Sequence, residues 1–154
     1  MSTVILSNAT AEDMAFVHSL SPRLAGVLRP AWHDLAAMEG FQDRHMSASF
    51  EPVEGSSTMI ARSDDGRRLG YVHLRPGRDG VTDEPCGYIS LLAVAKDAEG
   101  SGVANHLMGA AEDWARSRGY RLLSLDVFAD NRRAVDFYRH KGFKTETRRM
   151  VKPL

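Results

Sequence analysis

The sequence predicts an α/β fold with a mixed sheet, and two stretches carry this prediction. In residues 88–143 an apolar run, a glycine loop, an amphipathic segment, a second apolar run and a short amphipathic segment follow one another. This pattern is typical of strand, loop, helix, strand and helix. Upstream, residues 57–62 and 68–75 flank an Asp-Asp-Gly turn, which predicts a hairpin. Because 154 residues is the length of one domain, we expect residues 1–154 to form a single domain.

The charge balance and the cysteine content narrow the class of protein. Twenty lysines and arginines balance twenty aspartates and glutamates, so no net charge favours binding to nucleic acid or to an anionic membrane. No apolar run is long enough to span a membrane, and the single cysteine, Cys86, has no partner for an internal disulfide. We therefore expect a cytoplasmic protein that contacts neither nucleic acid nor membrane.

The N-terminal third predicts one strand followed by helices. Residues 3–6 are a short run rich in β-branched side chains and form the predicted first strand. Thr10 is a good helix cap, because acidic residues follow it in the first turn, and Ser21-Pro22 interrupts that helix. Residues 24–50 contain glycine and proline breaks, which predict two short helices with their connections.

The C-terminal half gives the clearest helical pattern. Apolar side chains recur at helical spacing in residues 103–118, and Gly119 is a typical C-terminal stop. Residues 120–128 are an apolar run in which Leu123, Leu125 and Val127 alternate with two polar residues, which predicts a strand. A short helix begins after Asn131, and residues 144–151 predict a final strand. The inward stripe of the long helix consists of Val103, Leu107, Ala111 and Trp114.

A loop of small residues, Glu-Gly-Ser-Gly-Val-Ala at positions 99–104, leads into the long helix. Small residues let a diphosphate approach the backbone, and the helix N-terminus offers unpaired N–H groups and the positive end of its dipole. A P-loop would require a lysine followed by serine or threonine, where this chain has Asn105-His106. A dinucleotide fingerprint would require a third glycine. The diphosphate of a coenzyme A remains as the predicted ligand.

A second motif lies downstream of this loop and carries a family resemblance. It combines an asparagine, an Ala-x-x-Phe-Tyr run and a Gly-Phe pair: Asn131, Ala134, Phe137, Tyr138, Gly142 and Phe143. With the loop, it resembles the GNAT superfamily of acetyl-CoA-dependent N-acetyltransferases. The family's loop reads Gln/Arg-x-x-Gly-x-Gly/Ala; Gly102 and Ala104 match it, and Glu99 replaces the usual Gln or Arg. Because a carboxylate repels a diphosphate, we expect Glu99 to point outward or to weaken the site.

The resemblance, which is strongest over residues 88–143, implies a fold and a set of roles. The fold is a mixed, mostly antiparallel sheet, flanked by helices and splayed at the CoA site. Pantetheine would insert beside residues 88–94 like an additional strand, and a bulge near residues 92–94 would turn the Val94 N–H toward the acetyl oxyanion. Tyr138 would protonate the departing thiolate. The implied CoA-binding residues are Leu92, Val94, Glu99, Gly100, Ser101, Gly102, Val103, Ala104, Asn131 and Tyr138.

The general base is the least defined part of the predicted site. Many relatives carry a glutamate on the strand before the bulge, where this chain has Tyr88 and Ser90. A water chain held by Tyr88 or Ser90 can take its place, and an acceptor amine of low pKa needs no strong base. Five other side chains are candidates by type, although each is more often structural: Glu84, His73, His33, Glu39 and His45.

Several other side chains have both a functional and a structural interpretation. The six histidines show no metal-ligand spacing, so no metal is expected. Cys86 is interpreted as a small buried residue, since no base marks it as a nucleophile. Arg132 or Arg133 either meets the CoA phosphates or lies on the solvated surface. Four apolar side chains either line an acceptor pocket or belong to the core: Trp32, Met38, Phe41 and Met46.

The sequence thus predicts an N-acetyltransferase that moves the acetyl group of acetyl-CoA to a primary amine by direct attack in a ternary complex. The acceptor is open among small amines, amino acids, aminoglycosides, polyamines and the amines of peptides or proteins. One alternative is the transfer of a longer acyl group. Another alternative is a CoA-binding sensor or regulatory module without turnover. The missing strand carboxylate and the presence of Glu99 are the features that favour this alternative. The sequence also leaves a homodimer open.

Overall fold

A computed structural model describes residues 3–154, which form a five-stranded sheet with helices on both faces. Short 3-10 turns at Ala11–Asp13 and Lys96–Ala98 lead into the first helix and the glycine loop. The strands are β1 (Ile5–Asn8), β2 (Ser57–Arg62), β3 (Arg68–Arg78), β4 (Pro85–Val94) and β5 (Leu123–Ser124). The helices are α1 (Met14–Ser19), α2 (Ser21–Ala25), α3 (Leu35–Ser49), α4 (Val103–Ser117) and α5 (Arg132–His140).

The strands lie in chain order across the sheet, from β1 at one edge to β5 at the other. The first four are antiparallel, and β5 joins β4 in parallel. The parallel pair requires a crossover, which α4 supplies. The predicted fold class, a mixed and mostly antiparallel sheet flanked by helices, is therefore confirmed.

Two cores form because side chains on a strand alternate between the faces of the sheet. On β3, Val72 and Leu74 point toward α4, whereas Tyr71 packs on the opposite face against α1. The predicted stripe of α4 is confirmed, since its four members are all buried in the first core. We call this side the α4 face, and we call the opposite side, which α1 and α3 cover, the α3 face.

The junction of β4 and β5 is tight at Gly87. A Cβ atom at this position would come within 2.9 Å of the Trp114 ring and 3.1 Å of the Leu123 side chain, so a glycine is needed. The two strands pair at Gly87–Leu123 and Tyr88–Ser124, and the chain then leaves β4. The predicted splay is present, and the predicted strand over residues 120–128 was too long because most of it has no ladder partner.

Three other expectations of secondary structure differ from the observed elements. The first strand begins at Ile5, because β2 ends opposite it at Arg62 and leaves residues 3 and 4 unpaired. The region 24–50 forms one long helix, α3, after the short α2. The predicted strand at residues 144–151 was wrong: the segment has no regular structure and contains two apolar residues, of which Met150 is 92% exposed. Such a segment has no apolar face to bury against the sheet.

A buried carboxylate, Asp13, ties the start of α1 to the β2–β3 hairpin. It is fully buried and accepts hydrogen bonds from Arg62 (2.6 Å), Arg68 (2.7 Å) and the N–H of Thr10 (2.8 Å). Burial alone would raise the pKa of Asp13, but the hydrogen bonds from Thr10 and the two guanidinium groups outweigh it and hold the pKa far below its usual range. The carboxylate is therefore charged whenever the protein is folded near neutral pH.

We expect Asp13→Asn to lower the free energy of unfolding by about 3 kcal/mol, because it leaves two guanidinium groups without their shared anion. Chemical denaturation at pH 7 measures this loss. Because the folded pKa is lowered, the stabilisation is present above the unfolded pKa of about 4 and is lost as pH falls through the folded value. The matched control is Asp64→Asn in the exposed turn of the hairpin, where we expect a change below about 0.5 kcal/mol. Equal stability of the two variants at pH 7 would contradict this role for Asp13.

Candidate active site

The C-terminal half of β4 has an open edge that faces the gap left by β5. The N–H of Ala95 donates to the carbonyl oxygen of Leu69 at 2.8 Å, which fixes the phase of the antiparallel ladder with β3. Because the backbone groups of successive residues alternate in direction, those of Leu92 and Val94 point away from β3 and into the gap. Two peptide N–H groups and two carbonyl groups thus line this edge of β4.

A bulge interrupts β4 at Ser90. Ile89 and Leu91 oppose the adjacent β3 residues Leu74 and His73, so Ser90 is the extra residue. The bulge was predicted near residues 92–94, where the register is in fact regular, and this expectation was wrong. The bulge is fastened to α3, because the Ser90 carbonyl oxygen accepts from Nε2 of His45 at 2.8 Å and the Ser90 hydroxyl lies 2.5 Å from that of Ser49.

The glycine loop adopts a backbone that other residues rarely adopt. Gly100 (φ 75°) and Gly102 (φ 83°) are both in the left-handed region. Helix α4 starts directly after Gly102, and among the described residues no side chain caps its first turn. The N–H groups of a first turn have no intrahelical acceptor, so these groups are available to a ligand. The Val103 side chain is buried in the core, which leaves its backbone N–H as the group that can meet a ligand. The loop can therefore bind an anion through backbone donors and the helix dipole.

Glu99, the departure from the family's loop, is neutralised by two arginines. Its carboxylate accepts a hydrogen bond from Arg23 on α2 and lies 3.4 Å from Nη1 of Arg133 on α5. The hydrogen bond from Arg23 and the charge of Arg133 keep the pKa of Glu99 below its usual range. Arg23 also donates from Nε to the Val94 carbonyl oxygen at 2.8 Å, so one side chain joins the loop to the open edge of β4. An anion bound near Glu99 would therefore meet a carboxylate whose charge is already balanced by two arginines.

Tyr138 and Asn131 lie on or beside α5, on the α4 face. The Tyr138 ring packs against Phe137 and Phe143 and borders the α4-face core. Within residues 3–154 its hydroxyl has no hydrogen-bond partner, and burial raises its pKa to about 12. The phenol therefore stays protonated near neutral pH and can act as a proton donor. The Asn131 side chain accepts from the N–H of Ala134 at 3.4 Å and so caps α5.

The five candidate bases have different surroundings. Glu84 is paired with Arg121 at the closed end of the gap, away from the open edge. Both ring nitrogens of His73 are engaged, by Thr58 and by the carbonyl oxygen of Ser49, and burial lowers its pKa. His33 and Glu39 are exposed. Of the five, His45 is the one whose side chain hydrogen-bonds to the bulge residue, Ser90.

One pair of side chains near the gap was missed by the sequence reasoning. The hydroxyl of Tyr88 donates to Oδ2 of Asp126 at 2.8 Å, although the two residues are 38 positions apart. The alternation in residues 120–128 already placed Asp126 on the polar face of that segment. That segment was expected to lie opposite β4. A polar side chain on its polar face was therefore the signal from which a contact with β4 could have been predicted.

The four apolar side chains with two interpretations divide evenly. Met38 and Met46 are buried in the core, whereas Trp32 (47% exposed) and Phe41 (40% exposed) lie at the surface. Phe41 stacks on His45 with ring centroids 5.9 Å apart and meets Phe128 edge-on at 5.6 Å. An aromatic contact thus joins α3 to the segment that follows β5.

Other features of the described chain lie away from this region. Cys86 is buried, as expected, and burial raises its pKa. Surface depressions of about 480 and 290 Å³ lie beside the β1–α1 connection and between α1 and α3, and neither includes the open edge of β4. Among residues 3–154, no three His, Cys, Asp or Glu side chains come together as a metal site, and no helix has the length and apolarity to cross a membrane.

Comparison with known proteins identifies the family. Residues 23–143 match the sequence profile of the acetyltransferase (GNAT) family. The chain belongs to this family. A solved structure of a putative acetyl transferase from Pyrococcus furiosus has the same fold, with a TM-score of 0.81 and 24% identity, and the match covers 99% of this chain and 100% of that one. The predicted GNAT resemblance and GNAT fold are both confirmed.

Curated GNAT relatives differ in name and in length. An aminoglycoside N(6')-acetyltransferase type 1 from Stenotrophomonas maltophilia is 30% identical over 109 residues, which are 69% of this chain and 70% of the relative. A mycothiol acetyltransferase from Rhodococcus jostii is 35% identical over 107 residues, or 66% of this chain. This chain spans about a third (33%) of the mycothiol acetyltransferase that it matches.

The pairing of Glu99 predicts how CoA binding in this GNAT domain responds to substitution. Arg23→Ala leaves the Glu99 carboxylate with the exposed Arg133 alone, so we expect acetyl-CoA to bind about fivefold more weakly. Arg23→Ala combined with Glu99→Gln removes the unpaired charge, and affinity should return to within about twofold of the wild type. Isothermal titration calorimetry on the wild type, both single variants and the double variant measures this cycle. Tighter binding by Arg23→Ala would instead mean that Arg23 competes with the ligand for the Val94 carbonyl oxygen.

Proposed function

We propose that this GNAT domain transfers the acetyl group of acetyl-CoA to a primary amine by direct attack in a ternary complex. The observation that carries the proposal is the open edge of β4 at Leu92 and Val94, which we combine with the glycine loop and the protonated Tyr138 phenol. These three features match the three parts of an acyl-CoA: the pantetheine arm, the diphosphate and the thioester sulfur.

The residues present fit an acyl-CoA by their chemistry. A pantetheine arm has two amide groups, which need backbone donors and acceptors of the kind that Leu92 and Val94 direct into the gap. The diphosphate needs N–H donors, which the loop from Gly100 to Ala104 and the first turn of α4 supply. Asn131, beside the loop's partner Arg133, is positioned to add a contact from α5. Together with Glu99, which holds the arginines, these form the proposed binding set.

The acyl-transfer chemistry needs an oxyanion donor and a proton donor. The Val94 N–H is our proposed oxyanion donor, because the phase of the ladder with β3 directs it into the gap. Tyr138 is the proposed acid, which gives its proton to the thiolate as the C–S bond breaks. Its raised pKa suits this task, since the phenol is protonated when the amine attacks.

The relatives reported above are a mycothiol acetyltransferase and an aminoglycoside N(6')-acetyltransferase. Both names describe acetyl transfer, and the compounds that they name differ. They support the reaction class that we propose for this chain, and they favour no single acceptor.

Acetyl-CoA should raise the melting temperature of this protein by about 5–10 °C at a hundredfold excess over its dissociation constant. That excess adds about 2.7 kcal/mol to the free energy of unfolding, which moves the midpoint of a domain of this size by this amount. Differential scanning fluorimetry measures the shift, with free CoA as the related ligand and NAD as the control diphosphate. An equal shift with NAD, or none with acetyl-CoA, would overturn the assignment of the loop to CoA.

Tyr138→Phe should lower kcat by about 100-fold or more, because the thiolate loses its proton donor. The acetyl-CoA thermal shift should remain, since the ring is kept. Tyr120→Phe is the matched control: it removes a hydroxyl from a ring that packs against Trp114, away from the open edge. Tyr138 is protonated below a pKa of about 12, so its own titration should not lower the activity as pH rises toward 11. An unchanged kcat for Tyr138→Phe would remove it from the mechanism.

A further inference from the structure

We propose that Asp126, held in place by Tyr88, binds the ammonium group of the acceptor amine at the mouth of the gap, on the face opposite Tyr138. The inference rests on the proposed acetyl transfer and specifies its second substrate. It gives the domain a carboxylate near the reaction centre from the segment that follows β5 rather than from β4.

The position of Asp126 follows from the way β5 leaves β4. Ladder pairing ends at Tyr88–Ser124, and Asp126 lies two residues beyond this point, where the gap has opened. Its carboxylate nevertheless remains joined to β4, because the Tyr88 hydroxyl donates to Oδ2 across the opening at 2.8 Å. The Tyr88–Asp126 pair therefore joins the two chain segments at the mouth of the gap, which is the place where the gap begins. Tyr88 precedes the bulge residue, Ser90, by two positions.

The residue that pairs with Tyr88 on β3 shows on which face of the sheet the Tyr88 side chain lies. Tyr88 lies opposite Arg75 in the ladder, so the two side chains share a face. Arg75 reaches the carbonyl oxygen of Ala48 on α3 at 2.9 Å, which identifies this as the α3 face. Tyr138, in contrast, packs with the α4-face core. An amine bound at Asp126 thus approaches the thioester from one side while the proposed acid meets the sulfur on the other.

The chemistry of the pair suits an ammonium ligand. Tyr88 uses its proton on Oδ2, and among the described residues no other group hydrogen-bonds the Asp126 carboxylate, so Oδ1 is available to an N–H donor. Burial and the hydrogen bond to Asp126 raise the pKa of Tyr88, which keeps it a donor. Asp126 is exposed to solvent and can pass a proton on to water. A charge-assisted hydrogen bond of this kind is among the stronger ones that a protein makes.

The proton balance of the reaction is complete with these groups. The ammonium gives one proton to Asp126 and onward to water, and the freed lone pair forms the C–N bond. The C–S bond breaks, the thiolate takes the proton of Tyr138, and the nitrogen loses its second proton, which restores Tyr138 through solvent. The products are an N-acetyl amide, CoA with a free thiol and one proton in solution.

The surroundings of Asp126 indicate the class of amine. Phe41 and Phe128 meet edge-on near the same mouth, and His45 stacks on Phe41 while it holds the bulge. Arg75, which pairs with Tyr88 in the ladder and shares its face, is cationic. On α3 the acids Glu39 and Asp43 are two positions from Phe41 and so lie on the far side of the helix. One carboxylate beside aromatic rings and a guanidinium suits an amine with a single positive charge on an apolar or aromatic frame, and disfavours a polycation.

Steady-state kinetics with two amines test this assignment. The probes are 2-phenylethylamine, with one charge on an aromatic frame, and spermidine, with several charges. We expect Asp126→Asn to raise KM for 2-phenylethylamine by about tenfold or more, and Tyr88→Phe by a smaller factor, because a charge-assisted contact is weakened. KM for acetyl-CoA and the acetyl-CoA thermal shift should not change. Asp113→Asn, which loses a weak and exposed pair on α4, is the matched control.

Each outcome decides a different point. If Asp126→Asn behaves like Asp113→Asn toward amines that the wild type acetylates, Asp126 is not the ammonium site and the proposed function stands. If spermidine has the higher kcat/KM in the wild type, the single-charge assignment is wrong. If the wild type is stabilised by acetyl-CoA yet neither acetylates nor is further stabilised by either amine, both the ammonium site and the proposed function are overturned.

Discussion

The separation of β4 from β5 after two ladder pairs is the constraint on which the rest of the molecule depends. Close contact of Gly87 with the Trp114 ring and Leu123 holds the strands together at one end. Beyond Tyr88–Ser124 the edge of β4 is left with peptide groups that need partners, because an unpaired backbone edge is costly once water is excluded. The part of the sheet that is least complete is therefore the part best suited to take an extended ligand as an additional strand.

Rigid contacts on both faces keep this incomplete edge in one conformation. On the α3 face, His45 and Ser49 hold the Ser90 bulge, and the neutral His73 links Ser49 to Thr58 on β2. On the other face the stripe of α4 packs against β3 and β4. The gap is thus supported by an ordered frame, which is what preorganised donors need if they are to stabilise a developing charge.

Helices and strands could be predicted from the sequence where a local pattern of residues determines them. Parts of the candidate site could be predicted where a sequence motif specifies them. Residues 57–62 were located from the turn that follows them, the helix that starts at Val103 from its helical spacing, and the loop from its glycines. The Tyr88–Asp126 and Arg23–Glu99 contacts join residues 38 and 76 positions apart, and no local pattern encodes such partners. The strand predicted at residues 144–151 was wrong for a different reason. Residues that are compatible with a strand form one only where a neighbouring strand is available for pairing.

The two tryptophans give this protein two separate optical reporters. Trp114 is 8% exposed beside the Gly87 junction, and its indole N–H has no hydrogen-bond partner among the described residues, so its emission belongs at short wavelength. Trp32 is 47% exposed in the connection that precedes α3, and its emission belongs at long wavelength. The short-wavelength part of the intrinsic fluorescence therefore reports on the closed end of the sheet. The long-wavelength part reports on the connection that precedes α3, and neither measurement needs an added label.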